Sequence, residues 1–385
     1  MLIAGGGIGG LAAAIALARR GIGARVLERR CDLAEAGAGI QIGPNGVHVL
    51  RALGVAEALA GLAGRPEGIR VRQGANGRVL TRPPLGDWLE ARHGAPYWTL
   101  HRHDLHAALA ARAEADRLIE ITRGFKIAGI GDDDAGVSVQ DREGNSVRGI
   151  ALVGADGVGS SVRQHLLGPI DLGFSGKTAT RTVLPASAIA VELAAGDVGV
   201  WLSPGAHVVH YPVRGGAQVA VVAIIDEAFT EPGWHAPADP ALLLDRLAGF
   251  APELRQALAA ATGWHKWALV DARPFALWSK GRIALLGDAA HPVLPFLAQG
   301  GVLALEDAIV LADELAADRS SPAAALAAYA VRRQPRAARV QAASRTNGRA
   351  YHLHGPARVA RDAALRLIPG ARLMAGFDWL YGWRA

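Results

Sequence analysis

The chain predicts an α/β fold: a domain built on a parallel sheet, interleaved with a second domain built on an antiparallel sheet, and closed by helices at the carboxyl end. Three observations predict it. The segment from Leu2 to Glu28 reads as strand, glycine-rich turn, helix and strand. Two later segments, at Ala151–Val153 and just before Gly287-Asp288, repeat the pattern of a short apolar strand that stops at small residues and an acid. Between 172 and 270 the texture changes to β-branched runs broken by Gly and Pro, the mark of an antiparallel sheet. A chain of 385 residues is too long for one simple core and suits two interlocked domains.

In "MLIAGGGIGGLAAAIALARRGIGARVLERR", Leu2–Ala4 is the first strand and Gly5-Gly6-Gly7-Ile8-Gly9-Gly10 fits G-x-G-x-x-G. Leu11 to Arg20 reads as helix, and Arg25 to Leu27 as a second strand ending at Glu28. Gly5 permits the tight turn, Gly7 lets backbone approach a pyrophosphate, and Gly10 lets the helix pack close on the sheet. The helix amino terminus offers free N–H groups to the phosphate. Glu28 lies eighteen positions after Gly10, where its carboxylate can accept bonds from an adenosine ribose. That acid disfavours a 2′-phosphate; NAD and FAD both remain open. A lone glycine motif is weak, but strand, turn, helix and terminal acid together make a strong Rossmann-like signal. Only Met1 precedes Leu2, so the first strand reads as clipped, with a mis-assigned or a trimmed start both open.

Composition narrows the function. Hydrophobic residues make up 51%, enough for a large core. Lys+Arg 41 against Asp+Glu 35 gives a net charge of +6, a mild field that attracts small anions. The basic residues are scattered with few aromatics among them, which argues against a nucleic-acid partner. The single cysteine, Cys31, excludes an internal disulfide, a CxxC pair and a thiolate metal cluster, and fits a reducing, cytoplasmic setting; no metal is expected. The apolar run Leu2–Ala18 lacks a basic leader and carries five glycines in Gly5–Gly10, so it suits a strand, loop and helix better than a signal or membrane segment. Ala-rich stretches at 105–118 and 241–261 read as ordinary helices.

"ALVGADGVGSSVRQHLLG" places Asp156-Gly157 after its strand, with Ser160 as a helix cap before Val162. Asp156 has two open roles: contact with a flavin or nicotinamide, or holding its own turn. "GRIALLGDAAHPVLPFLAQGGVLALEDAIVLADEL" supplies the third strand end, with Asp288, then a proline loop and a Gly300-Gly301 helix start. Val302, Leu305, Ile309 and Ala312 follow helical spacing. Three strand ends on one edge of an open sheet make a ligand crevice.

The G-x-G-x-x-G with Glu28, the Asp156-Gly157 segment, and Gly287-Asp288 followed by "HPVLPFLAQGG" resemble the flavin-dependent aromatic hydroxylases of the para-hydroxybenzoate hydroxylase superfamily. "GAGIQIGPN" (37–45), "LHRHDLHAAL" (100–109), "HVVHYPVRGG" (207–216) and "LPFLAQGG" are similar to the branch holding salicylate hydroxylase, 3-hydroxybenzoate 6-hydroxylase and 6-hydroxynicotinate 3-monooxygenase. The resemblance implies a glutathione-reductase-type FAD domain from 1–72, 100–171 and 271–340, a substrate domain from 73–99 and 172–270, and a helical tail from 341–385. It implies that Asp288 binds the ribityl hydroxyls of FAD and that Arg102 lies against the pyrophosphate. Gly300 and Gly301 would aim a helix amino end at the flavin's pyrimidine edge, favouring the anionic reduced ring by ~1 kcal/mol.

On the substrate side, "AHVVHYPV" has the strand period of two, so His207, Val209 and Tyr211 share one face and His210 the other. His207 and Tyr211 lie ~13 Å apart along an extended strand, and relatives carry this pair in the substrate pocket. Gln299 resembles a glutamine that helps deprotonate the phenol. His291 is expected to serve structure. Pro295 belongs to the pocket loop. Gln41 and Phe296 stand where pyridine-hydroxylating relatives carry histidine, which leans away from 6-hydroxynicotinate and toward a hydroxybenzoate-like acid or a less polar phenol. The implied activity is a monooxygenase that takes NADH or NADPH as transient co-substrate and transfers oxygen from a flavin C(4a)-hydroperoxide, acting as monomer or homodimer. A flavin dehydrogenase or epoxidase, a hydroxylase of N-heterocycles and a non-catalytic FAD-binding protein remain open as rivals.

Overall fold

The computed structural model describes residues 1–32, 38–133, 135–170, 172–190, 193, 196–231, 233 and 235–385. Gly37, the first residue of the "GAGIQIGPN" motif, lies outside them. So do residues 191 and 192 of the β-branched run "TRTVLPASAIAVEL" (180–193), one of those expected between 172 and 270 to form the antiparallel sheet.

The three strands singled out by their terminal acids or glycines are neighbours. The first sheet runs in the order Ser279–Lys280, Ile283–Leu285, Leu152–Gly154, Leu2–Ala4, Ala24–Glu28, Ile119–Arg123. All its pairs are parallel except the first. Leu2 lies opposite both Leu152 and Arg25, and Leu152 lies opposite Ile283, so the three carboxyl ends finish level at Ala4, Gly154 and Leu285. This register makes the crevice.

The helix after the glycine turn spans Ile8–Ala18, starting earlier than the expected Leu11. Its first turn accepts glycines because they are packing sites. A Cβ on Gly9 would stand 2.8 Å from Leu286 Cδ2 and 3.2 Å from Ala304 Cβ, and one on Gly10 only 1.9 Å from the Gly5 carbonyl oxygen. The helix is apolar all round because it is buried all round, between the sheet and the Gly300–Ala317 helix.

The second sheet has eight strands in the order His235–Pro237, His265–Asp271, Gly173–Pro185, Gln218–Asp226, Ala206–Val213, Val198–Ser203, Ile69–Gln73, Val79–Thr81. It is antiparallel except where Val198–Ser203 meets Ile69–Gln73. Ile69–Gln73 runs in this sheet ahead of the boundary expected at 73. The run at 180–193 leaves the sheet at Pro185 and enters a 3₁₀ turn, Ala186–Ala188. One face of this sheet packs Trp201, Val208 and Val221 under the Pro240–Arg246 and Pro252–Ala259 helices. The other face turns Tyr211 toward Leu297 and Leu303 of the first domain.

A 30-residue helix, Pro322–Tyr351, crosses the boundary expected at 340 without a break. Shorter helices Gly355–Leu367, Gly370–Ala375 and Asp378–Tyr381 follow. Among the described residues, no helix is long and apolar enough to cross a membrane.

Candidate active site

The nucleotide cradle is built from backbone. Gly5 has φ +102°, and a Cβ there would fall 2.5 Å from the Ala155 carbonyl oxygen. Gly7 precedes the helix in extended conformation, and a Cβ on it would meet nothing within 4 Å. The helix has no side-chain cap and no acid in its first turn, so its leading N–H groups face open space with positive dipole character. Glu28 closes the turn: its carboxylate accepts from the Gly6 N–H at 2.7 Å and the Arg30 N–H at 2.9 Å.

Asp156 holds its own turn. Its carboxylate accepts from the Ser160 and Ser161 hydroxyls and from the Ser161 N–H at 2.7 Å, so it locks the start of the Ser161–Leu167 helix. Ser160 caps that helix as expected, accepting from the Arg163 N–H at 2.9 Å.

Asp288 is different. It is half-buried and accepts no hydrogen bond among the described residues. Burial pushes its carboxyl above the ordinary value, while His291, Arg102, Arg163 and Arg181 pull the other way. Its Oδ1 lies 4.0 Å from where a Gly300 Cβ would stand. A donor-free acid and an uncapped helix start therefore meet across the strand end. Gly301 is fixed by packing, since a Cβ there would come 2.8 Å from Ile40 Cδ1. Arg102 opens the Arg102–Glu114 helix, and its charge bears on Asp288, Arg181 and Tyr211 across the crevice.

A buried ionic network holds these parts. Asp307 accepts from the Gly287 N–H at 3.0 Å, from His291 Nε2 at 2.5 Å and from Arg333 Nε at 2.6 Å. Glu306 accepts from Arg333 at 2.8 Å, Arg336 at 2.6 Å and Asn45 Nδ2 at 2.8 Å. Burial alone would raise the Asp307 carboxyl, but His291 and Arg333 hold it down at about 2. His291 thus serves structure, as expected. Sequence reasoning missed Glu306, Asp307, Arg333 and Arg336; the available signal was an Glu-Asp pair interrupting a helix whose neighbours are apolar on every side.

The network also orients Gln299. Glu306 can only accept, so Asn45 presents its NH₂ to it, and the same group donates to Gln299 Oε1 at 3.0 Å. Gln299 is left with a donor, its Nε2, free of hydrogen bonds among the described residues. Its Nε2–H can donate to an oxygen, while Oε1 already accepts from Asn45.

His207 and Tyr211 share a face as expected. His207 is 1% exposed, with Phe296 5.6 Å and Tyr351 5.1 Å away between ring centres. Its Nδ1 lies 2.7 Å from His352 Nε2. Burial pushes its pKa well below that of free imidazole, so it is neutral. Tyr211 packs over Gly39, and Gln41 bonds to it and accepts from the Tyr97 hydroxyl at 2.9 Å. Pro295 opens a 3₁₀ turn, Pro295–Leu297. That loop is pinned to the long helix by Gln341 on the Pro292 carbonyl at 2.8 Å and Ser344 on the Leu294 carbonyl at 2.5 Å. Phe296 fills the gap over Gly348. Arg181, also missed, lies in the cross-strand row Arg181–Val222–Val209, which puts it on the face of His207 and Tyr211. Its Nε is buried without a hydrogen-bond partner.

The open space at Gly7, the donor-free Asp288 and two uncapped helix starts fit FAD. The FAD binding domain family matches residues 1–344. The chain belongs to this family. It is an FAD-dependent aromatic hydroxylase, a flavin monooxygenase. The hydroxylase is 36% identical over 383 residues to 3-hydroxybenzoate 6-hydroxylase of Polaromonas naphthalenivorans, covering 100% of this chain and 96% of the relative. It is 37% identical over 385 residues to a 3-amino-4-hydroxybenzoate 2-monooxygenase of Streptomyces platensis, with 100% and 96% covered. A variant of HpxO from Klebsiella pneumoniae, solved with FAD, superposes with a TM-score of 0.88 at 27% identity, over 99% of this chain and 97% of that one.

Two outcomes are expected. Asp288→Ala removes the donor-free carboxylate at the strand end and weakens FAD binding by about tenfold or more; the bound flavin per chain after gel filtration measures it. Arg333→Met strands two buried carboxylates and destabilises the fold by about 3–5 kcal/mol, read from the denaturant midpoint.

Proposed function

We propose that the hydroxylase acts on a phenolic aromatic acid of the hydroxybenzoate type, consuming NADH or NADPH and dioxygen. The observation that carries this reading is the pairing, on one sheet face, of the neutral buried His207 imidazole with Arg181, whose buried Nε has no hydrogen-bond partner. The guanidinium stacks over the Trp267 ring at 5.2 Å, and its buried Nε–H is left to be satisfied by an acceptor. A ring bearing a carboxylate for Arg181 and a hydroxyl for His207 satisfies both.

FAD would be held by Glu28, Arg102, Asp288 and the glycine backbone at Gly5–Gly7 and Gly300–Gly301, and when bound it supplies reduction by nicotinamide and an activated oxygen. The chain's own residues do the rest. Arg181 anchors the carboxylate. His207 takes the phenolic proton at its free ring nitrogen, which makes the ring carbons ortho and para to the oxygen electron-rich. Gln299 Nε2 donates to the resulting phenolate, and Tyr211 borders the same pocket. Phe296, Pro295 and Tyr351 wall the site with apolar surface and keep water out. Gln41 bonds to Tyr211 instead of presenting an imidazole, and Phe296 offers none either, so a hydroxypyridine has fewer partners here than a hydroxybenzoate.

A panel of hydroxybenzoates and hydroxypyridines, scored for NADH or NADPH consumption and for oxygenated product, tests the reading. Product from hydroxypyridines alone, or none with any aromatic acid, would overturn it. His207→Gln is expected to lower kcat by about 100-fold while FAD content stays as in the parent. Arg181→Gln is expected to raise KM for the acid by about tenfold and to leave the matching phenol without a carboxylate nearly unaffected; steady-state kinetics on the two compounds makes the comparison.

A further inference from the structure

The pocket base is not isolated. His207 Nδ1 lies 2.7 Å from His352 Nε2, and His352 Nδ1 lies 2.7 Å from Asp226 Oδ1. His207 is 1% exposed and His352 5%, whereas the Asp226 side chain is 38% exposed. The series therefore runs from the pocket to the surface, across two strands' width and onto the end of the long helix. Lys177 closes it at the surface, paired with Asp226 and 3.3 Å from His352 Nδ1.

The partners fix the tautomers. Asp226 can only accept, so His352 presents Nδ1–H to it. In a neutral ring, His352 Nε2 then carries the lone pair, and His207 Nδ1–H donates to it. His207 Nε2 is left as a lone-pair acceptor, and nothing among the described residues donates to it. The far edge of the His207 ring is thus the basic one, and the near edge is already wired to solvent.

We propose that His352 is a proton relay, carrying the substrate's phenolic proton from His207 to Asp226 and the bulk. The proposal rests on the hydroxybenzoate reading and deepens it. The phenolic O–H bond breaks as N–H forms at His207 Nε2. The Nδ1–H of His207 passes to His352 Nε2, and the Nδ1–H of His352 passes to the Asp226 carboxylate or to water beside it. One proton leaves the pocket, no electrons change hands, and the phenolate stays behind. The relay resets by running backward at product release: a proton from solvent enters at His352 Nδ1, the Nε2–H of His352 passes to His207 Nδ1, and the Nε2–H of His207 returns to the product phenolate. Burial holds both imidazoles below their ordinary pKa, and Lys177 adds to this at each ring, while Asp226 pulls the other way at His352. The charged and titratable groups facing the relay are Lys177, Asp226 and His354 at His352, with Tyr351 beside His207. His352 touches no reacting atom; it is a positioning and relay residue.

Proton release tests it. Oxidised holoenzyme in weakly buffered solution with a pH-indicator dye is mixed with 3-hydroxybenzoate in a stopped-flow instrument. The parent is expected to release protons as the substrate binds. His352→Gln should keep FAD, hold the substrate Kd within about twofold and slow release about tenfold or more. His352→Ala should be slow and recover with added imidazole, which a packing defect would not do. Should both His352 variants lose FAD, Asp226→Asn at the surface end decides: slowed release with FAD and Kd retained supports the relay, and release at the parental rate overturns it. His352→Gln releasing protons as fast as the parent, with FAD and Kd intact, overturns the relay alone. A parent that releases no proton with any hydroxybenzoate overturns the substrate reading and the relay together.

Discussion

The arrangement depends on a knot of buried charge at the start of the Gly300–Ala317 helix. Glu306 and Asp307 are both fully buried and adjacent, a placement that ionised carboxylates tolerate only with cations and donors on every side. Arg333, Arg336, His291, Asn45 and the Gly287 N–H supply them. What this buried chemistry gains is position. Asp307 grips the backbone beside Asp288, while Glu306, through Asn45, sets which end of the Gln299 amide is free. One pair of side chains therefore fixes both the backbone beside Asp288 and the free end of the Gln299 amide.

Dryness acts on the pocket in two directions. Low polarity keeps His207 neutral, and it leaves the Arg181 Nε buried without a hydrogen-bond partner. On the hydroxybenzoate reading the first effect suits a base and the second suits an anion. Both follow from the same apolar wall of Phe296, Tyr351 and sheet residues. A more polar wall would weaken both at once.

Much of the first domain was legible because its signals are local. A glycine at a tight turn, an acid at a strand end and a cap such as Ser160 each declare their role within a few residues. The register that levels Ala4, Gly154 and Leu285 follows once three such strands are recognised. The period-two pattern of "AHVVHYPV" likewise places His207 and Tyr211 correctly. What stayed hidden is non-local. Arg181 reads as one more arginine in a β-branched run until register sets it beside Val222 and Val209. His352 lies 145 residues from the ring it bonds to. Gln299 was recognised, but its orientation depends on Asn45 and Glu306, and no neighbouring residue in the chain reports that. The long helix concealed the break expected at 340, since Pro335 in its interior does not end it.

That helix ties distant events together. Arg333 and Arg336 near its middle belong to the charge knot; Gln341, Ser344 and Gly348 further on hold the loop at 292–297; Tyr351 and His352 at its end meet His207. From Arg333 to His352 is ~28 Å at the helical rise. It works as a camshaft: every lobe is set by one rotation and one axial position. A variant that turns or slides the shaft to suit a bulkier aromatic ring would retime flavin seating and proton exit in the same stroke. Widening the pocket without that penalty has to be done from the sheet side, at positions such as Val209 or Val222.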